Sequence, residues 1–140
     1  MGAIFTFHTA ATFLVALVLG GMVFFSFVMT PLVFLYLDRK AAGSLLGHIF
    51  STYFRLVAGV SVVAALLIWY RWEAGALVAI AGASVIAWLF ILPPLERLRP
   101  DREAGDPAAT SKFRRLHRTS VIINLAQIVM VAVIFFQLVR

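Results

Sequence analysis

The sequence predicts an all-α, polytopic membrane protein, a bundle of four transmembrane helices. Three observations carry that expectation. The 140 residues are 63% hydrophobic and only 13% charged, with a mean hydropathy of +1.01; a soluble domain of this length has too little interior for so much apolar surface. Four apolar stretches each reach the about 20 residues that a helix needs to cross a hydrocarbon core. The basic residues gather on alternate connections, as membrane topology requires.

Taken in order, the first span is expected over about residues 4–37. It is longer than a crossing needs, and Pro31 should kink or end it. No basic residue precedes it, so it is expected to be retained rather than cleaved as a signal peptide. The second span is expected over about 43–70 and the third over about 75–95, where Pro93-Pro94 should close it. The fourth is expected over about 111–139. Between the last two, Pro100 to Ser111 is rich in Pro, Ala, Gly, Asp and Glu and reads as a mobile loop. Residues 1–140 therefore read as a single four-helix transmembrane domain.

Arg39 and Lys40 lie between the first two spans, and Arg97, Arg99, Arg102, Lys112, Arg114, Arg115 and Arg118 lie around the last connection, whereas the other side carries only Arg71 and Arg140. The positive-inside rule then puts both termini outside and loops 1–2 and 3–4 in the cytoplasm, in a bacterial inner membrane. Trp69, Tyr70 and Trp72 fit the outer aromatic belt. The net charge of +6 serves topology and anionic lipid rather than nucleic acid. With no cysteine, neither disulfides nor thiolate metal ligands are available.

Two polar stripes interrupt the apolar background: His48, Ser51, Thr52 and Arg55 in the second span, and His117, Ser120, Asn124 and Gln127 in the fourth. Each has helical spacing and so lies along one helix face. Polar groups facing lipid are costly, so such stripes are expected to face a partner helix or a wet cavity. The two helices run in the same direction, so His48 can face His117 and Arg55 can face Asn124. Arg55 stays charged and costs about 2.5–3.5 kcal/mol at mid-bilayer on insertion scales. It reads as an anion anchor, as a snorkelling side chain, or as a structural partner of Asn124, Gln127 or a carbonyl, with Asp38 as an ion-pair partner. His48 and His117 could together ligate haem iron or a metal; His8 lies at the far side and reads as an interface residue. Small residues recur every four positions, at Thr12, Ala16 and Gly20, at Gly43, Gly47 and Ser51, and at Gly75, Ala79, Ala83 and Ala87, which suits close helix packing within the bundle or in a dimer. Met22 and Met29 read as packing, and no hydrolase or phosphate-loop motif is present.

Three pieces resemble one family. The run from Gly20 to Phe34 has a glycine pair, an aromatic run and a Pro followed by Leu. The run from Ala42 to Arg55 ends in Tyr53-x-Arg55. The third piece is Phe113-x-x-Leu116-His117, followed by Ser120, Asn124 and Gln127. In this order they resemble the TMEM205-like, DUF4149 membrane domain, which implies a four-helix membrane protein with Tyr53, Arg55, His117, Ser120, Asn124 and Gln127 as family-typical positions. A broader likeness, of class rather than motif, is to small histidine-bearing membrane bundles such as the copper-resistance D domain.

The sequence thus predicts a non-enzymatic membrane protein. It would bind or handle a small ligand or metal species, or act as an accessory subunit, through a polar site between the second and fourth helices. Arg55 would anchor charge, with Tyr53, His117, Ser120, Asn124 and Gln127 around it, and no cofactor is required. The alternative is a b-type haem or metal redox protein using His48 and His117. Expected partners are the lipid bilayer and a second copy or larger membrane complex, not nucleic acid.

Overall fold

The computed structural model describes residues 2–140. Four helices, each long and apolar enough to cross a membrane, account for nearly all of them. The first runs as an α-helix over Gly2–Phe24, a π turn over Phe25–Met29 and a further α-helix over Thr30–Tyr36. The second is Arg39–Leu67. The third is Trp72–Ile86, a π turn over Ala87–Ile91, and Leu92–Glu103. The fourth is Pro107–Leu138.

The prolines do not end the helices as expected. A proline cannot donate to the carbonyl four residues back, and in both broken helices a π turn stands immediately before the missing donors. Ahead of Pro31, Thr30 gives both its backbone N–H and its hydroxyl to the Phe25 carbonyl, the latter at 2.9 Å. Ahead of Pro93-Pro94, the Leu92 N–H reaches back to Ala87. The wider turn redirects the ladder and the helix continues, so the third helix runs on to Glu103.

The last connection is correspondingly short. Instead of a mobile loop over Pro100 to Ser111, only Ala104 to Asp106 separate the two helices. Gly105 turns the chain at φ 89°, which glycine adopts without a Cβ clash. Asp106 caps the fourth helix, accepting from the Ala108 N–H at 3.0 Å, and Pro107 occupies the first turn, where its missing N–H costs nothing. Asp38 caps the second helix in the same way, accepting from Ala41 N–H at 2.9 Å. At about 1.5 Å per residue, 32-residue helices span about 48 Å and overreach a 30 Å hydrocarbon core. The basic residues therefore ride on helical extensions rather than on a loop.

The helices form a square. The first packs on the second and the fourth, and the third packs on the same two. Second and fourth lie across a diagonal, as do first and third. Val15, Met22, Phe54, Ile68, Leu77, Ile80, Val131 and Ile134 fill the interior with almost no exposure. Large apolar side chains such as Phe13, Leu17, Leu56, Leu66, Phe90, Val129 and Phe136 point outwards, as lipid-facing helix surfaces require.

At the end away from the basic connections, Arg71 grips Glu73 with two hydrogen bonds, 3.0 and 2.7 Å. These bonds raise the Arg71 pKa above its ordinary value. Trp69, Tyr70 and Trp72 are exposed around this pair.

Candidate functional site

The diagonal placement of the second and fourth helices decides how the two polar stripes are used. One side chain spans the gap: the Tyr53 hydroxyl donates to Asn124 Oδ1 at 2.6 Å. Asn124 Nδ2 in turn donates to Ser26 Oγ on the first helix at 2.7 Å. Ser26 lies inside the first π turn. Tyr53 stacks on Phe25, with ring centroids 4.8 Å apart, and meets Phe50 and Phe54 edge-on. Three helices are thus tied by one chain, Tyr53 to Asn124 to Ser26, buried at its first two members and half-buried at Ser26.

Gln127 turns to a different neighbour. Its Nε2 donates to the Ile80 carbonyl at 2.9 Å and to Ser84 Oγ at 2.8 Å, both on the third helix. Its Oε1 and the buried Ser61 hydroxyl have no hydrogen-bond partner.

Arg55 does not face Asn124 or Gln127, and Asp38 is not its ion-pair partner. Two residues apart on a helix is about 200°, so when Tyr53 points inwards Arg55 must point out. Its Nε donates to the Ser51 carbonyl at 3.2 Å and its Nη2 to Thr52 Oγ1 at 3.3 Å, both on its own helix. The guanidinium sits 5.6 Å from the centre of the Trp88 ring, within cation–π range. The ion pairs among the described residues are Arg71–Glu73 and Glu96–Arg99; Arg55 belongs to neither. Around it lies a cleft of about 430 Å³ between the second and third helices, walled by His48, Ser51, Thr52, Trp88, Pro93 and Glu96.

The two histidines open onto different spaces. His48 is exposed, with Nδ1 held by the Ser44 carbonyl at 2.8 Å, and it lines the Arg55 cleft. His117 lies in a smaller cleft of about 180 Å³ among the second, third and fourth helices, with Arg99, Arg102 and Ser120. Its ring stacks on Phe113, which also carries the Arg102 guanidinium at 4.3 Å. Ser120 Oγ donates back to the His117 carbonyl at 2.8 Å. The two histidines are thus not brought together in one cleft. No group of three or more His, Asp or Glu side chains stands together among the described residues.

Gly43 and Gly47 have a specific use. A Cβ on Gly43 would meet Arg99 Nη1, and one on Gly47 would meet Glu96 Oε1. The Glu96–Arg99 pair, 2.7 Å at its shortest, therefore lies flat in a notch made by two glycines. The small-residue spacing here admits side chains rather than a second backbone.

Ser26 and Ser84 are the two serines that answer Asn124 and Gln127; from the sequence Ser26 reads as bonding its own helix carbonyl, and Ser84 goes unmarked. Ser26 sits in an aromatic run, where an isolated polar residue is a signal. Ser84 sits among alanines and glycines with nothing to mark it.

No curated protein and no solved structure matches the chain. The profile of one family, described as a domain of unknown function (DUF4149), matches residues 13–104. That span takes in the first π turn, the Tyr53-x-Arg55 run and the whole third helix, and stops before the fourth helix and its polar row. With about two thirds of its length matched across three of four helices, the chain belongs to the DUF4149 family.

Proposed function

We propose that this is a non-enzymatic membrane protein that binds a small anionic group in the cleft beside Arg55. One observation carries the reading. Arg55 is an exposed guanidinium in an apolar span, hydrogen-bonded only to its own helix, and it borders a cleft of mixed apolar and polar lining, the Arg99-paired Glu96 included, that is large enough for a ligand. A charge in that setting is costly unless something of opposite sign answers it. Ser51, Thr52 and His48 add hydrogen-bonding groups, and Trp88 supplies a flat apolar wall. Tyr53, Asn124 and Gln127 serve the binding site by fixing the helices that frame it.

The basic connections support a cytoplasmic placement of loops 1–2 and 3–4 in a bacterial inner membrane, with both termini outside. The cleft then opens in the cytoplasmic half of the bilayer.

Trp88 gives the test a local reporter. In a Trp69→Phe/Trp72→Phe background, glycerol 1-phosphate titrated onto detergent-solubilised protein should change Trp88 fluorescence saturably. Arg55→Gln should weaken that response at least tenfold at unchanged helix content. A response unaltered by Arg55→Gln, or none in the parent, refutes the reading.

A further inference from the structure

A second groove adjoins the Arg55 cleft, and the two share a wall. It lies between the first and second helices, has a volume of about 670 Å³, and is lined by Leu17, Gly21, Met22, Leu56, Val57 and Val60 among others. His48 and Thr52 line both spaces. They form a ridge between the Arg55 cleft, whose lining also holds the Arg99-paired Glu96 carboxylate, and an almost wholly apolar groove. Both spaces open laterally towards the bilayer, since Leu17, Leu56 and Arg55 are all exposed.

Depth fits the same picture. Counting back about 20 residues from Leu67, beside the aromatic cluster, puts the opposite hydrocarbon edge near His48. The Arg55 guanidinium bends back to the level of Ser51 and Thr52. That leaves it about 6 Å inside that edge, within reach of a headgroup phosphate and continuous with the acyl region.

Resting on the proposed anion cleft, we infer that its occupant is an anionic glycerophospholipid. The phosphate sits on Arg55 and His48 between the second and third helices. One acyl chain crosses the His48–Thr52 ridge into the groove between the first and second helices. Charge complementarity selects a lipid over a second copy of this chain. A two-fold dimer places the same surface on both partners, so pairing through this stripe would set Arg55 near its own mate in a low-dielectric setting.

The groove can be filled without touching the core. Gly21 lines the groove and a Cβ there meets nothing within 4 Å, so Gly21→Leu adds bulk on the groove side. The experiment is native mass spectrometry of the full chain in a neutral maltoside, with dioleoyl phosphatidylglycerol or dioleoyl phosphatidylcholine added, alongside the Trp88 titration. Retention of one phosphatidylglycerol is expected under conditions that strip phosphatidylcholine. Arg55→Gln should lower retention at least tenfold, and Arg55→Lys should recover part of it. Gly21→Leu should lower it several-fold while leaving the glycerol 1-phosphate response intact. Equal retention of the two lipids, or indifference to Gly21→Leu, overturns the lipid inference. If glycerol 1-phosphate still responds, the anion cleft survives that failure; if neither probe binds, both fall. A dimer cross-linked through cysteines placed at Ser51 would make the occupant a second chain and also overturn the lipid inference.

Discussion

Removing the Tyr53 hydroxyl tests the tie that holds the bundle's diagonal. Tyr53→Phe keeps the ring, and with it the stacking on Phe25 and the edge contacts to Phe50 and Phe54. It deletes only the 2.6 Å bond to Asn124 Oδ1. Interhelical hydrogen bonds in membranes average about 0.6 kcal/mol and reach about 1.7. The short distance and the burial of both partners place this one towards the upper value. Asn124→Ala removes that bond and the one to Ser26, for about 1–3 kcal/mol on the same scale. Part of that loss is recoverable, because a serine can turn to its own helix carbonyls. Coupling in the double-mutant cycle should be about 0.6–1.7 kcal/mol. Reversible unfolding in mixed micelles, or steric trapping in bicelles, reads the difference. A coupling below about 0.2 kcal/mol, too small for an average membrane hydrogen bond, would refute the claim that Tyr53 and Asn124 hold second and fourth helices together.

The same assay tests the glycine notch. Gly47→Ala gains about 1 kcal/mol of helix propensity and displaces only the flexible ends of a partly exposed ion pair, worth about 1 kcal/mol, so the net change should be close to zero. A loss of several kcal/mol would mean that a backbone, not the Glu96–Arg99 pair, occupies the notch. At the other end, Arg71→Ala should destabilise more than Glu73→Gln. The first strands a carboxylate that is 1% exposed, whereas the second leaves a guanidinium that is 34% exposed and can still reach water; the larger loss falls towards about 3 kcal/mol. Equal effects would remove the asymmetry. Because the chain has no cysteine of its own, Ala104→Cys and Tyr70→Cys are unique labelling sites. Only the latter should react with an impermeant maleimide in intact cells, and the reverse pattern would invert the proposed orientation.

The four helices were legible because bilayer crossing imposes a length and a composition that nothing else in the chain imitates. Their ends were less so. Pro31 and Pro93-Pro94 carry a strong local signal to stop, but Thr30 and Leu92 reach one residue further back and carry the helix past them. Asp106-Pro107 is a helix start that hid in a stretch whose Gly and Pro content suggested a loop. For the candidate site, Asn124 and Gln127 were found because an amide in an apolar helix needs a partner, and both have one. The partners themselves depended on the square arrangement, which no stripe encodes: Gln127 meets Ser84 on the third helix, and Asn124 meets Ser26 as well as Tyr53. The opposed directions of Tyr53 and Arg55 were available from helical geometry alone. Reading Tyr53-x-Arg55 as one motif concealed that its ends face apart.

That opposition separates the framework from the proposed binding site. The inward polar groups, Tyr53, Ser26, Asn124, Ser84 and the Gln127 amide nitrogen, are bonded to one another or to backbone. Beyond them, towards the Arg71–Glu73 end, Ile68, Leu77, Ile80, Val131, Ile134 and Leu138 fill the bundle, none more than 3% exposed. A polar ligand following the bundle axis would have to displace this packing, whose large-to-small disruption costs about 2–5 kcal/mol per side chain. The outward groups, His48, Thr52 and Arg55, face no such barrier, because their cleft opens on the side of the bundle. Exchange at the proposed Arg55 site would therefore be lateral, with the bilayer rather than through it. A cavity-making Ile134→Ala substitution should then destabilise the protein by about 2–5 kcal/mol yet leave the Trp88 response to glycerol 1-phosphate within twofold of the parent. A large change in that response would connect the bundle interior to the cleft and end the lateral reading.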